Sequence, residues 1–125
     1  MMPTPLSFKK DIEHMYAFAD QCDSLAVLLP ALCDVLRRNE VSLTDLTYSY
    51  RLVASDTGYR FAFALDHGRL VERSDSEPVD VTVTGLERNL LAVFKRKLNP
   101  AAALLLGKIK LNGDRDALMK LAAFL

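Results

Sequence analysis

Cysteine is scarce in this chain of 125 residues. The two cysteines, Cys22 and Cys33, lie in stretches with helical periodicity, and no metal-ligand spacing surrounds them. Disulfide scaffolds and zinc sites need more cysteines, or cysteine and histidine at short fixed spacings. The sequence therefore predicts no disulfide framework and no metal site, and it favours reduced thiols inside the cell.

Charge of one sign is also missing, because sixteen Lys and Arg residues offset sixteen Asp and Glu residues. Nucleic-acid binding depends largely on an excess of positive charge facing phosphates, so we expect no nucleic-acid partner. No apolar run approaches the roughly 18 residues of a membrane span. The N-terminus has no basic segment followed by an apolar run, so we expect neither a signal peptide nor an anchor, and a cytoplasmic location.

Catalytic motifs are absent as well. The two histidines, His14 and His67, have no nucleophile or carboxylate at a recognisable motif spacing. Asp114 and Asp116 could act as paired acids, but their position at the start of a helix explains them better as capping residues. There is no glycine-rich phosphate loop, zinc-ligand set or nucleophile elbow. The residues thus predict no catalytic site, no cofactor and no enzymatic activity.

Hydrophobic residues make up 50% of the chain, and with its length they predict one globular domain. For residues 1 to 6 we predict a short disordered segment, the lead, that precedes the first helix. Ser7 is the expected N-cap of an amphipathic helix that lasts to about Asp20. A second helix is expected from about Ser24, with a break or kink at Pro30.

Strands follow the two helices. From residue 46 the period of the apolar residues changes from 3.6 to 2, which is the period of a half-buried strand. Turn residues separate four such segments, and short turns favour an antiparallel meander of consecutive strands. The four predicted strands are residues 46–52, residues 59–65, a short strand around residues 70–71, and residues 79–83.

Helical spacing returns after the fourth strand and ends at Asn99 and Pro100, where the proline begins another helix. The segment Ala101 to Leu106 is apolar all round, so it must be buried on all sides or face an apolar partner. A fifth strand at residues 107–111 and a final helix capped by Asp114 complete the chain.

The second half of the chain resembles the sterol carrier protein 2 family. A strand and an amphipathic helix lead to a hinge, a short apolar helix, a further strand, a glycine turn and a last helix. The motifs that carry the resemblance are Lys97-Leu98-Asn99-Pro100, Gly107-Lys108-Ile109-Lys110, Asn112-Gly113 and Met119-Lys120-Leu121. The resemblance covers about residues 44 to 124, and the motifs together form a fairly specific combination.

The resemblance implies an α+β fold in which helices cover a five-stranded, mostly antiparallel sheet and leave an apolar tunnel. Residues 1–23, the predicted lead and an extra amphipathic helix, lie outside the resemblance, and the lipid-binding domain would be residues 24–125, within one globular unit. It also implies non-catalytic binding or transfer of fatty acyl, sterol-like or isoprenoid lipids. By position, the lipid-binding residues would be Phe61, Phe63, Leu90, Phe94, Leu98, Leu105, Leu106, Ile109, Leu118 and Leu121.

Three positions depart from the residues that are common in that family. Arg96 stands where glycine is common, Leu106 where glutamine is frequent, and Phe61 where tryptophan is frequent. Because Leu106 has no polar side-chain atom, it would not offer a ligand head group the polar contact that glutamine could provide. Affinity would then depend on burial of the lipid chain, and selectivity among lipids would be loose.

Three functions remain open from the sequence. The first is an intracellular lipid carrier. The second is an interaction module, a homodimer with a filled tunnel, because by spacing alone the apolar residues are ordinary core. The third is an accessory lipid-presenting factor in isoprenoid quinone biosynthesis. Transient membrane contact is a further alternative to solvated surfaces, either through the helix at residues 7–20 or through Lys95, Arg96, Lys97, Lys108 and Lys110.

Overall fold

Five α-helices and five strands make up residues 6–124, the part of the chain that the computed structural model describes. Residues 1–5 of the predicted lead lie outside the described residues. The helices are α1 (Leu6–Ala19), α2 (Leu25–Arg38), α3 (Glu87–Phe94), α4 (Pro100–Leu105) and α5 (Arg115–Phe124), with a 3-10 helix at Glu40–Leu43. The strands are β1 (Tyr48–Ala54), β2 (Arg60–Asp66), β3 (Arg69–Arg73), β4 (Val81–Gly85) and β5 (Ile109–Gly113).

The two N-terminal helices differ from the prediction in detail. Helix α1 begins at Leu6, so Ser7 lies inside the helix and the prediction that it is the N-cap is wrong. Helix α2 begins directly after Ser24, as predicted, but it continues through Pro30 without a break. The proline removes the helical donor for the carbonyl group of Ala26, and both residues are exposed, so water can satisfy that carbonyl.

Polar contacts join α1 to the end of α2. The side-chain amide of Asn39 donates to the carboxylate of Asp11 at 2.9 Å and to the carbonyl group of Val35 at 2.7 Å. The guanidinium group of Arg38 lies 3.6 Å from the same aspartate. Apolar residues of α1, Met15 among them, belong to the same hydrophobic core as the rest of the fold. Helix α1 is therefore packed as part of one structural unit.

The sheet is mixed and mostly antiparallel, with the strand order β3-β2-β1-β4-β5. The first three strands form the predicted meander, but β4 pairs with β1 in parallel, so the prediction of a four-stranded meander is wrong. Strand β5 then pairs antiparallel with β4. The connection from β3 to β4 must therefore cross the neighbouring strands, which a tight turn cannot do.

This crossing segment, residues 74–80, is held by polar side chains of β1. The carboxylate of Asp80 accepts hydrogen bonds from the backbone and the hydroxyl group of Ser49, at 2.8 and 3.1 Å. The guanidinium group of Arg51 donates to the carbonyl groups of Ser74 and Glu77, at 3.3 and 2.5 Å. Because Ser49 and Arg51 alternate with core residues along β1, the segment crosses the sheet face opposite the helices.

The other face of the sheet forms the hydrophobic core with side chains from all five helices. Beneath α2 this core is closed. Its leucines expose at most 1% of their surface, and we call this part of the molecule the closed region: Leu25, Leu28, Leu29, Leu36, Leu43, Leu46 and Leu65.

Side-chain caps begin the last two helices, where the sequence predicted a helix start at Pro100 and a cap at Asp114. The side-chain oxygen of Asn99 accepts from the backbone amides of Ala101 and Ala102, at 2.8 and 3.3 Å. The carboxylate of Asp114 accepts from the amides of Asp116 and Ala117, at 2.9 and 3.3 Å. Both predictions of helix starts are confirmed, and each cap satisfies backbone amides in the first turn of its helix.

Candidate functional site

A cavity of about 400 Å³ lies between the core face of the sheet and helices α3 and α5. Its size falls within the range of about 300 to 1,000 Å³ that is usual for small-molecule pockets. Strands, helices and the α3–α4 connection all contribute to its wall. Its apolar wall consists of Leu32, Leu52, Phe63, Val83, Leu90, Val93, Phe94, Leu98, Ile109, Leu118, Leu121 and Ala122, together with the ring of Tyr50.

The floor of the cavity is set by the alternation of residues along the strands. Tyr50 and Phe63 are cross-strand partners in β1 and β2, and their ring centroids lie 5.3 Å apart in a stacked arrangement. Val83 lies on the same face of β4, where it pairs with Leu52. Because side chains two residues apart share a face, these strands present a continuous apolar surface to the helices.

Two tyrosines of β1 connect the floor to helix α5. The hydroxyl group of Tyr50 donates to the backbone carbonyl group of Ala117 at 2.8 Å, and burial raises the pKa of this hydroxyl above its usual value. At the start of β1, the ammonium group of Lys120 donates to the hydroxyl group of Tyr48 at 2.8 Å. The two tyrosines thus link β1 to α5, next to the part of the cavity that Leu118 lines.

The cavity opens at the connection between α3 and α4, where the lining residues Arg96, Lys97 and Asn99 are exposed. We call this opening the mouth, and it also includes the half-buried Tyr16 and Pro100. Arg96 has a backbone φ of 58°, in the left-handed region, and its guanidinium carbon lies 3.6 Å from the centroid of the Tyr16 ring. The ammonium group of Lys97 lies 3.9 Å from the carboxylate of Asp20, just after α1.

The charged residues that line the cavity all carry positive charge. Among the described residues these are Arg51, Arg96 and Lys97, and no aspartate or glutamate lines it. Arg51 directs its guanidinium group to the crossing segment on the opposite face of the sheet. The positive charge that a ligand would meet therefore comes from the two residues at the mouth.

The structure brings seven of the ten predicted lipid-binding residues to the wall of this cavity. They are Phe63, Leu90, Phe94, Leu98, Ile109, Leu118 and Leu121. Their roles in binding lipid stay predictions, because a wall position is a geometric fact and not a measurement of binding.

The other three predicted residues lie outside the wall. Phe61 packs against Phe63, with ring centroids 5.9 Å apart, and is half-buried. Leu105 and Leu106 expose 88% and 66% of their surface. Helix α4 is short and buries only Ala103. Leu104 packs against the core, but Leu105 and the following residue, Leu106, point away from it, so the segment is not enclosed.

Several wall and mouth residues escaped the prediction. Tyr50 and Val83 could have been found from strand alternation, since they share a face with Phe63. Arg96 was noted only because glycine is common at its position in the family that the sequence resembles. Tyr16 gave no signal, because α1 lies outside the segment that carries the resemblance, and only packing brings it to the mouth.

The family model of the SCP-2 sterol transfer family matches residues 31–125. The chain belongs to this family. Sterol carrier proteins bind and transfer lipids, and the mixed five-stranded sheet with helices on its core face is their fold. No curated protein sequence matches this chain significantly.

Solved structures extend the comparison. A stereoselective inverting sec-alkylsulfatase from Pseudomonas sp. is 28% identical, with a TM-score of 0.61 over 75% of this sterol carrier protein chain and 15% of the sulfatase. The chain thus spans less than a fifth of that enzyme. Sterol carrier protein 2 like 2 from Aedes aegypti is 23% identical, with a TM-score of 0.52 over 96% of this chain and 97% of that one.

A third similar structure is the UbiJ ubiquinone synthesis protein. It is 14% identical, with a TM-score of 0.54 over 96% of this chain and 93% of that chain. At this identity the likeness shows a shared fold.

Within residues 6–124, none of the helices is long and apolar enough to cross a bilayer.

Proposed function

We propose that this chain binds lipids with long acyl or isoprenoid chains in the cavity and carries them without catalysing a reaction. The observation that carries the proposal is an apolar cavity of about 400 Å³ that opens to solvent at the mouth. A chain inserted through the mouth would contact Phe63 on the floor and Phe94 and Leu118 on the helices.

The expected affinity follows from the burial of the ligand chain. Each buried methylene contributes about 0.8 kcal/mol, so a dozen contribute roughly 10 kcal/mol. Association costs several kcal/mol in lost translational and conformational freedom. The balance corresponds to dissociation constants in the micromolar range, with modest discrimination between chains of similar length.

Similar proteins support an alkyl chain as the ligand. One of the solved structures is the palmitated form of sterol carrier protein 2 like 2 from Aedes aegypti. The similar segment of the Pseudomonas protein belongs to an enzyme named for alkyl sulfates. Both names point to unbranched or lightly branched alkyl groups, and we use such ligands as first probes.

The proposal is tested by displacement of a fluorescent fatty acid by unlabelled lipids. We expect unlabelled lipids to displace the probe from wild-type protein at micromolar concentrations. In Phe94→Asp, which places a carboxylate on the apolar wall, the affinity for lipid should fall at least tenfold. The matched control is Phe18→Asp, because Phe18 is 42% exposed and lies outside the cavity. This control should bind as wild type does.

Two results would contradict the proposal. One is that no class of unlabelled lipid displaces the fluorescent probe from the wild-type protein. The other is equal binding by wild type and Phe94→Asp, which would place the lipid elsewhere on the molecule. Native mass spectrometry of freshly purified protein adds an independent measure, because it reports retained lipid and stoichiometry together.

The second function considered from the sequence is a homodimer with a filled tunnel. The cavity argues against a filled tunnel, because the side chains of its wall residues Val93, Phe94 and Leu118 remain partly exposed. A stable dimer without bound lipid in native mass spectrometry would favour this function over a carrier.

The third function, an accessory role in isoprenoid quinone biosynthesis, stays a prediction. The fold shared with the UbiJ ubiquinone synthesis protein is compatible with it. Co-purification of quinone-biosynthetic enzymes with the tagged chain would favour this role, and co-purified isoprenoid lipid without such enzymes would favour a general carrier. We place the carrier in the cytoplasm, where the buried thiols of Cys22 and Cys33 stay reduced.

Transfer of lipid also requires contact with a membrane, and the corner after α4 is suited to it. Leu105 and Leu106 are adjacent and exposed, and Gly107 turns the chain with a φ of 73°. Lys108 and Lys110 follow and are exposed too. Apolar side chains that enter the interface beside lysines facing anionic head groups form a typical membrane contact, so we propose a bilayer containing anionic lipid as the partner here.

Vesicle sedimentation tests this contact. With vesicles that contain phosphatidylserine, we expect the Leu105→Ser/Leu106→Ser variant to sediment several-fold less than wild type, and its displacement affinities to remain unchanged. Equal sedimentation of the two proteins, or binding to vesicles of neutral lipid alone with the same strength, would refute the proposed contact.

A further inference from the structure

We propose that a second, polar pocket binds a phosphate monoester group. This polar pocket has a volume of about 520 Å³ and lies where β1 and β4 end and α3 and β5 begin. It shares no lining residue with the cavity, so a ligand there is bound independently of the lipid and adds to the proposed function. Its polar side chains belong to Ser55, Thr84, Arg88, Asn89, Lys108 and Lys110.

The sheet separates the polar pocket from the cavity. Thr84 and Lys110 are cross-strand partners in β4 and β5. Their neighbours in the chain, Val83 and Ile109, line the cavity. Because successive residues of a strand point to opposite faces, Thr84 and Lys110 face away from the cavity. A ligand of the polar pocket therefore contacts a different surface from the one that a lipid chain would contact.

All charged side chains that line the polar pocket are positive, and they are Arg88, Lys108 and Lys110. Within residues 6–124, none of the three forms an ion pair with a carboxylate. The adjacent acidic residues Asp56 and Glu87 do not line the pocket, and the carboxylate of Asp56 accepts a hydrogen bond from the backbone of Glu87 at 3.0 Å. Cations that line one pocket without a counter-charge repel one another, and an anion bound among them relieves this repulsion.

Hydroxyl groups accompany the cations. Those of Ser55 and Thr84 have no hydrogen-bond partner in the described part of the chain, so both can donate to a ligand oxygen. A phosphate monoester carries roughly two negative charges at neutral pH and has three strong acceptor oxygens. A carboxylate carries a single charge on two oxygens. The set of cations and hydroxyl groups therefore matches a phosphate monoester better than a carboxylate.

Backbone contacts hold the polar pocket together before a ligand binds. The amide of Ser55 donates to the carbonyl group of Gly85 at 2.9 Å, and the side-chain amide of Asn89 donates to the carbonyl group of Lys108 at 3.2 Å. A Cβ atom on Gly85 would lie 3.0 Å from the carbonyl oxygen of Lys108, so glycine permits this close approach. A frame formed in advance lowers the cost of ordering on binding.

The test is a titration with glycerol 3-phosphate at pH 7.5, followed by NMR at the backbone amides of Gly85 and Gly107, which line the polar pocket. We expect saturable shifts, and at least fivefold weaker binding of succinate, a dianion without phosphate. The variant Arg88→Gln/Lys110→Gln should bind glycerol 3-phosphate at least tenfold more weakly than wild type. An unchanged urea midpoint shows that this variant is folded.

The matched control is Lys10→Gln/Arg69→Gln, which also removes one lysine and one arginine. Both residues are exposed and line neither the polar pocket nor the cavity. This variant should bind glycerol 3-phosphate as wild type does. Because the titration contains no fatty acid, its outcome is independent of whether the cavity binds lipid.

Vesicle sedimentation identifies the source of the phosphate group. Leu105 and Leu106, the proposed membrane contact, directly precede Gly107 of the polar pocket. For a membrane lipid, wild type should sediment several-fold more with vesicles of phosphatidic acid than with phosphatidylserine vesicles of equal zeta potential, and Arg88→Gln/Lys110→Gln should lose the difference. Equal sedimentation together with binding of glycerol 3-phosphate would indicate a soluble phosphate monoester.

Three results would overturn the proposed site. The first is the absence of saturable shifts with glycerol 3-phosphate combined with no preference for phosphatidic acid. The second is binding of succinate as tight as that of glycerol 3-phosphate, which would mean that charge alone is recognised. The third is an equal loss of affinity in the pocket variant and in the control variant.

Discussion

The closed region beneath α2 and the cavity beneath α5 are built from the same kinds of residue but are packed differently. Leu28 and Leu36 of α2 have no exposed surface, whereas Leu118 and Ala122 of α5 keep part of theirs. Both helices are amphipathic and both face the same side of one sheet. The amphipathic pattern of a helix therefore determines which face is buried and leaves open how closely that face approaches the sheet.

The spacing of α5 has a local cause. The ring of Tyr50 stands between β1 and α5, and its hydroxyl group is hydrogen-bonded to the carbonyl group of Ala117. Beneath α2, leucines of the helix and Leu65 of β2 belong to one buried cluster and expose at most 1% of their surface. Interiors are normally close-packed, so a persistent gap needs rigid groups that keep the layers apart.

The largest expected effect separates the two regions by stability. Leu28→Ala should lower the free energy of unfolding by about 3 kcal/mol, because it opens a new void in a closed core. Leu118→Ala should cost about 1 kcal/mol, since its side chain already borders a cavity. Urea denaturation measures both values. Equal losses at the two positions would mean that the two regions are packed alike.

A pH effect tests the closed region further. Burial raises the pKa of the Cys33 thiol from 9.0 to about 11. Between these pH values the unfolded chain releases the proton and the folded chain keeps it, so stability is complete below pH 9 and falls as the pH rises. The loss should reach about 2 kcal/mol near pH 11.

The variant Cys33→Ala isolates this contribution, because other groups that titrate at high pH remain in both proteins. Urea denaturation at pH 8.5, 9.5 and 10.5 should show a steeper decline in wild type than in the variant. Parallel declines would contradict the assignment of this part of the pH dependence to Cys33.

Filling the cavity should separate binding from folding. Val93→Trp places a large ring at a half-buried wall position, so we expect at least a tenfold loss of fatty-acid affinity with little change in the urea midpoint. Val27→Trp is the control, since Val27 is 52% exposed and outside the cavity. A variant that keeps wild-type affinity would show that the ligand does not enter this space.

The smallest expected effect concerns the cap that holds the first turn of α5. Asp114→Ala removes the acceptor for two backbone amides and should cost about 1 kcal/mol. Asp116→Ala, in the same turn but without a capping bond in the described structure, should cost less than half as much. Thermal unfolding compares the two variants, and a reversed order would refute the capping role of Asp114.

Local signals in the sequence predicted the elements well. Alternation in residues 46–52 and 59–65 corresponds to β1 and β2, and the caps at Asn99 and Asp114 begin their helices. These signals succeed because each depends on residues within one or two turns. The parallel pairing of β4 with β1 depends on distant contacts of Ser49 and Arg51, so turn length alone led to the wrong topology.

The residues of the site also differ in whether their positions follow from local patterns or from distant contacts. Phe63 and Leu90, which the resemblance named, lie on the cavity wall, and their strand and helix positions follow from local patterns. Leu105 and Leu106, which it also named, lie outside the wall, because an all-apolar segment contains no information on which side chains find a partner. It missed Tyr16, which reaches the mouth from a helix far away in sequence.

The sequence by itself determined which elements form, which faces are apolar, and the family to which residues 31–125 belong. Only the tertiary structure decided that Tyr50 separates α5 from the sheet, and that Tyr16 meets Arg96 beside the opening. The reason is physical: apolar periodicity records the side of an element that avoids water, whereas a cavity is the volume that remains after distant rigid groups have packed.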